Sequence, residues 1–236
     1  MRRRDAREKR GASCYASLMS DFSAVILGAT GLVGRQILAQ LVAAPECRAV
    51  VVLARRATGV TDAKVTEHII DFEKPESWAD HVRGDVLFSA LGTTIKQVGT
   101  KEAQYRVDYT YQLWAAQAAA KNGVRTYALI SSQSASPGSM VFYSRMKGEL
   151  ERDVKALGFG HVVLVRPGLL VGDREQSRSG EKFASAVLGI LPTSIAPASL
   201  RLYRDEVVAR ATIRAATGEG TGVEIVAGKE IFRRAE

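Results

Sequence analysis

Ala24-Val25-Ile26-Leu27-Gly28-Ala29-Thr30-Gly31-Leu32-Val33-Gly34 is a four-residue apolar run that breaks into a glycine-punctuated turn and leads straight into a helical pattern over 32–43. A strand, a glycine turn and a helix in that order bring backbone against a dinucleotide pyrophosphate. Gly28 permits the tight turn, Gly31 lets the backbone approach the ligand, and Gly34 lets helix and strand pack closely, while the first helical turn offers unpaired N–H groups and partial positive charge. Thr30, Leu32 and Val33 stand between these glycines and join them as expected cofactor-binding positions.

Outward from this turn, apolar runs at 24–27, 49–53, 65–70, 85–90, 126–131 and 161–166 alternate with amphipathic segments at about 32–43, 101–122 and 142–157. Repeated βα units of this length predict an α/β fold, a doubly wound parallel sheet of Rossmann type with helices on both faces. Asn122-Gly123 predicts the stop of the second helix. After Arg166-Pro167-Gly168 the alternation weakens, and a helix at about 205–216, capped by Asp205, precedes a short strand near 222–226. The organisation expected is a basic, flexible extension over 1–20 and one domain over 21–236, with a small substrate-side region after about 168. In open sheets of this kind ligands bind beyond the carboxyl ends of the strands, so the residues after each strand carry the chemistry.

The second strand ends Val51-Val52-Leu53-Ala54-Arg55-Arg56, without the acid that grips a ribose 2′-hydroxyl. Two guanidinium groups suit a 2′-phosphate in charge and geometry, which predicts NADP(H) rather than NAD. Asp71 and Phe72 follow the third strand, where similar proteins use an acid to hold the adenine amino group beside an apolar residue. Leu91 and Gly92 follow the fourth, where small residues let backbone pass close to the cofactor.

Tyr143 and Lys147 form the sole Tyr-x-x-x-Lys of the chain, a helical spacing that puts both side chains on one face. Chance supplies about 0.3 such pairs in a chain of this composition, so position carries the argument. The pair opens the helix after the strand ending in Ser131-Ser132. A phenol is a poor acid or base at neutral pH, but a neighbouring ammonium and an oxidised nicotinamide both favour its phenolate. Tyr143 is the expected proton donor, Lys147 its electrostatic partner and a ribose ligand, and Ser132 the group that steadies the substrate oxygen, with Ser134 as a substitute.

The G-x-x-G-x-x-G spacing resembles the extended and atypical branches of the short-chain dehydrogenases, and Leu91-Gly92-Thr93-Thr94, Arg106-Val107-Asp108, Ser131-Ser132, Tyr143-x-x-x-Lys147-Gly148-Glu149, Arg166-Pro167-Gly168 and Asp173-Arg174 through Ser177-Arg178 together resemble the atypical members related to the Tat-interacting oxidoreductase. The resemblance runs from residue 23 to about 182. It implies NADPH as cofactor, with Leu170 and Arg178 near the nicotinamide half and Arg55 and Arg56 as the phosphate clamp. One departure stands out: many extended members carry Asn where this chain has Asp108. Three functions follow. The first is an NADPH-dependent oxidoreductase of a carbonyl or alcohol, the second a redox-silent NADP-binding regulator, and the third a nucleotide-sugar epimerase or dehydratase, for which little chain remains after Gly168.

The rest of the composition narrows the setting. The net charge is +8, of which +4 sits in residues 1–10, and no aromatic interleaving accompanies it, so a small-molecule substrate is expected and no nucleic acid. Two cysteines and three scattered histidines offer neither a disulfide framework nor a metal site. No signal-peptide core is present, and Asp5 and Glu8 count against a mitochondrial presequence, which makes the expected location cytoplasmic. The uncharged stretch Phe183 to Leu200 is broken by Pro192 and Pro197 and reads as a helix and covering loop rather than a transmembrane segment. A monomer or a homodimer is expected.

Overall fold

The computed structural model describes residues 21–171 and 202–236. Seven strands form one sheet: β1 (Phe22–Leu27), β2 (Cys47–Ala54), β3 (Val65–Ile69), β4 (Val86–Ser89), β5 (Thr126–Ile130), β6 (His161–Arg166) and β9 (Gly222–Ala227). Their order is β3-β2-β1-β4-β5-β6-β9, every neighbouring pair is parallel, and the chain reverses its direction of travel across the sheet between β1 and β4. Two short strands, β7 (Leu169–Val171) and β8 (Leu202–Arg204), make a separate parallel pair.

The apolar runs are continuous because both faces of the sheet are covered. Ala24 and Ile26 of β1 pack with Val52, Phe88, Ala128 and Val163 in one core, under α1 (Leu32–Ala43), α6 (Asp205–Thr217) and α7 (Lys229–Ala235). Val25 and Leu27 point the opposite way and pack with Leu53, Leu87, Tyr127, Leu129 and Leu164, under α4 (Tyr111–Lys121) and α5 (Phe142–Lys155). Successive residues of a strand therefore serve different cores, each buried large aliphatic contributing about 1.5–3 kcal/mol.

The segment expected as one amphipathic helix over 101–122 differs from expectation. It is not one regular helix but α3 (Lys101–Tyr105), a π-helical turn (Arg106–Thr110) and α4. The wide turn buries Val107 and Asp108, and such insertions recur at functional positions. The Asn122-Gly123 stop holds, and Asn122 Nδ2 also donates to the carbonyls of Ala79 and Val82, pinning the helix end. Asp205 is not the cap of α6. That position is Arg204, while Asp205 is the first helical residue, its Oδ2 3.5 Å from Arg35 Nη2. Five short elements carry no clear periodicity in the sequence: α2 (Ile95–Val98), two 3-10 turns (Pro75–Ser77 and Ala79–His81), β7 and β8. Each is too short for a period to register. The expected helix and loop over Phe183 to Leu200 lie outside the described residues. Among the described residues no helix is long and apolar enough to cross a membrane.

Candidate dinucleotide and catalytic site

The glycine turn takes its form from contacts a side chain would prevent. Gly28 has φ +79°, and a Cβ there would lie 2.5 Å from the Ala90 carbonyl oxygen; one on Gly34 would lie 2.0 Å from the Gly28 carbonyl oxygen. The turn is closed by the Gly31 N–H donating to the Gly28 carbonyl at 2.8 Å. Helix α1 then begins at Leu32 with Gly31 as its cap and no side-chain hydrogen bond at that end. Among the described residues no side chain caps its first-turn N–H groups, an arrangement that fits a pyrophosphate. Thr30 is exposed and Leu32 half-buried, whereas Val33 is spent in the core and offers only its backbone.

Arg55 and Arg56 are exposed at the end of β2, and among the described residues neither enters an ion pair. Asp71 is exposed too, but its Oδ1 accepts from the Glu73 N–H at 3.0 Å and its carboxylate lies 4.0 Å from Lys74 Nζ. Phe72 is buried, stacked on Tyr111 at 5.2 Å and edge-on to Trp78. The structure thus puts the Phe72 ring in the core while Asp71 stays exposed. Glu73 accepts from Arg106 and from the Tyr111 hydroxyl, and these bonds hold its carboxyl below the usual range. Leu91 is half-buried and Gly92 exposed after β4, and Leu170 packs half-buried against the first core. Arg178 lies outside the described residues.

Helix α5 carries Tyr143 and Lys147 and is hung on the loop after β5 by small polar contacts. The Ser144 hydroxyl donates to Ser134 Oγ at 2.8 Å, and the Ser136 N–H donates to the Ser144 carbonyl at 3.0 Å. Ser134 is occupied in this tie, while Ser132 Oγ stands 3.3 Å from it, half-buried at the carboxyl end of the sheet. Lower on the helix, Glu151 is buried and accepts from Ser131 Oγ at 2.5 Å and from Arg166 Nε at 2.9 Å, with a second, short bond from Arg166 Nη2. Ser131, Glu151 and Arg166 therefore lock α5 to the ends of β5 and β6.

Tyr143 is 38% exposed, with exposed Met140 and Val141 beside it in sequence. Lys147 is buried, its Nζ 6.0 Å from the centre of the Tyr143 ring. The lysine's partner is a residue that sequence reasoning registered only as a departure. Asp108 Oδ1 is 3.2 Å from Lys147 Nζ, with side chains 1% and 2% exposed. Asp108 Oδ2 also accepts from the Thr93 N–H at 2.8 Å, in the loop after β4. Burial works against the Lys147 ammonium, but Tyr143, Asp108 and Glu151 outweigh it and hold its pKa above the ordinary value. Burial raises the Asp108 carboxyl above its usual range, opposed by Lys147 and by the Thr93 N–H.

A parallel sheet in this order, with a glycine turn at the reversal of strand order and an uncapped helix above it, defines an NAD(P)-binding protein of the Rossmann, short-chain dehydrogenase/reductase-like class. The chain belongs to the NAD(P)H-binding family, whose profile matches residues 28–187. It is 38% identical over 175 residues to "Protein fmp52-1, mitochondrial" of Aspergillus terreus, covering 71% of this chain and 75% of that one. It is 36% identical over 222 residues to "Protein FMP52, mitochondrial" of Meyerozyma guilliermondii, covering 90% and 95%. Among solved structures, WbmH of Bordetella bronchiseptica in complex with NAD+ superposes with a TM-score of 0.68 at 17% identity, over 87% of this chain and 75% of that chain. A UDP-N-acetylglucosamine 4-epimerase from Methanobrevibacter ruminantium superposes with a TM-score of 0.66 at 19% identity, over 89% and 77%. At such identities these likenesses describe the fold.

The relatives' names correct one expectation. Proteins 36–38% identical to this chain are named mitochondrial, which overturns the cytoplasmic location. Asp5 and Glu8 do not cancel the six basic side chains among residues 1–10, which stay strongly cationic despite them.

Proposed function

We propose that this protein is an NADPH-dependent reductase of a small carbonyl compound, using Tyr143 as proton donor, Lys147 as its electrostatic partner and Ser132 as the hydroxyl that holds the substrate oxygen. The observation that carries the reading is the pairing on α5: an exposed phenol with a buried, charged lysine 6.0 Å from its ring, beside the serine-bearing end of β5. A general acid needs substrate access and a fixed neighbour, and Tyr143 has both.

The cofactor set proposed is the Gly28–Gly34 turn with the α1 amino terminus for the pyrophosphate, Arg55 and Arg56 for a 2′-phosphate, Asp71 for the adenine end, and Leu91, Gly92, Leu170 and Lys147 toward the nicotinamide. The chemistry that NADPH would supply when bound there is a hydride for the carbonyl carbon. Tyr143 gives its phenolic proton to the carbonyl oxygen, keeps the O–H electron pair as tyrosinate, and regains a proton from water. Its finer likeness is to the atypical short-chain dehydrogenases related to the Tat-interacting oxidoreductase. The relatives' printed names favour a mitochondrial setting for this activity.

Two measurements test this. Titration should give tighter binding of NADPH than NADH, and Arg55→Glu should weaken NADPH by about 1.5–3 kcal/mol through a lost charge-assisted contact and added repulsion. Tyr143→Phe should keep NADPH affinity and lower carbonyl turnover by about a hundredfold or more. Equal affinity for the two cofactors refutes the phosphate clamp. Absence of NADPH oxidation by the parent protein with a broad panel of aldehydes, ketones and quinones moves the assignment to a redox-silent NADP-binding protein.

A further inference from the structure

Asp108 occupies a junction that the reductase reading does not itself require. The π-helical turn Arg106–Thr110 carries it inward to almost complete burial. There one oxygen faces Lys147 Nζ at 3.2 Å and the other takes the Thr93 N–H at 2.8 Å. Its own carbonyl accepts from Gln112 Nε2 at 2.6 Å, and Gln112 Oε1 accepts from the buried Ser89 hydroxyl at 2.8 Å. Every polar atom of the residue that these bonds describe is committed, so the carboxylate is held in one place. It is tied on one side to the loop after β4 and on the other to the lysine under Tyr143.

An amide here would fill the same space and could still accept from Thr93, but it would leave the ammonium uncompensated. A carboxylate does not. We propose, resting on the reductase reading above, that Asp108 is a positioning residue which fixes Lys147 and, by facing it as a carboxylate, offsets much of its charge at Tyr143, so that the site is set for proton donation and carbonyl reduction rather than for alcohol oxidation. The physical argument is one of net charge. Oxidation requires Tyr143 as tyrosinate before the substrate proton is taken, and a bare buried ammonium would stabilise that anion strongly. An ion pair presents Tyr143 with a dipole instead, and the dipole's field falls off faster.

The other charged groups around Lys147 do not restore the bare cation. Tyr143 and Glu151 face it from its own helix and Asp108 from the π-helical turn. Glu151 is itself neutralised by Arg166 of β6, and the loop after β4 contributes the neutral Thr93 N–H through Asp108.

The test reads Tyr143 directly and needs no substrate. Tyrosinate absorbance of the full chain is titrated as the difference between each protein and its Tyr143→Phe counterpart, so that the other tyrosines cancel, within the pH range where circular dichroism reports an intact fold. Asp108→Asn should lower the Tyr143 midpoint by about one pH unit or more, the effect of uncovering a charge at several ångströms in a medium of effective dielectric about 20. A midpoint that stays put or rises overturns the proposal. Should Asp108→Asn not fold, the double variant Asp108→Asn with Lys147→Met removes both charges and gives the same decision. Its midpoint should stay within about one pH unit of the parent, because the pair it removes is nearly neutral. A rise well beyond that would show Lys147 acting as an uncompensated cation and would overturn the proposal. These titrations stand apart from the carbonyl assay. A chain that turns over no carbonyl loses the reductase assignment, while the midpoints still decide how Asp108 acts on Tyr143.

Discussion

Replacing Glu151 by Gln should be among the most damaging conservative changes in the protein, because its carboxylate ties α5 to the ends of β5 and β6. The side chain is 2% exposed and receives Ser131 Oγ at 2.5 Å and Arg166 Nε at 2.9 Å, plus the second guanidinium bond. Gln keeps the volume but turns an NH2 toward the guanidinium, so at least one charge-assisted bond is lost and a donor faces a donor. Breaking a buried pair from one side costs about 3–5 kcal/mol when the survivor is sealed from water. Arg166 retains 23% side-chain exposure and can recruit water, which brings the expectation to about 2–3 kcal/mol. Urea unfolding followed by fluorescence of Trp78 and Trp114 gives the measurement, read as a lower midpoint at unchanged slope. A double-mutant cycle with Arg166→Met separates the pair from the helix: with the guanidinium gone, Glu151→Gln should cost at least about 1.5 kcal/mol less. Additive losses, or a single-variant loss below about 1 kcal/mol, would refute the claim that this triad fastens α5. Since Glu151 is one turn past Lys147 and two past Tyr143, a loosened helix should also weaken NADPH binding.

Two further outcomes are expected. Gly34→Ala sets a Cβ 2.0 Å from the Gly28 carbonyl oxygen, which cannot be relieved without moving the turn; it should cost about 1–3 kcal/mol in thermal or urea unfolding and weaken dinucleotide binding at least about tenfold, and full affinity would dissociate the turn from the cofactor. His161, buried at the amino end of β6, has its pKa lowered from 6.5 by burial, partly opposed by Glu224 3.3 Å away. The unfolded chain therefore binds this proton first as the pH falls through about 6.5, so stability drops below that pH; melts across the range should show the drop, and His161→Gln should flatten it while leaving cofactor affinity unchanged.

How much of this was legible in advance varies with the range of the interaction involved. The strand–turn–helix at 24–43 could be read because apolar run, glycine spacing and amphipathic helix are local signals, and the structure departs from that reading by a residue or two at the ends. The relation of Tyr143 to Lys147 could be read for the same reason, since residues four apart on one helix share a face in any fold. The carboxylate under that lysine was not legible as its partner. Asp108 and Lys147 lie on different elements, and their meeting depends on a π-helical turn that no periodicity announces, because one wide turn shifts the face of only a few residues. Phe72 went the same way: placed by sequence beside the adenine end, its ring is claimed by Tyr111 and Trp78, neighbours that only the folded chain supplies. The sequence by itself determined the βα alternation, the glycine turn, the arginines at the end of β2 and the spacing of the candidate acid and its lysine, all of them consequences of short-range stereochemistry. Only the tertiary structure decided the charge environment of those groups, because desolvation and ion pairing are set by what distant segments bring within a few ångströms.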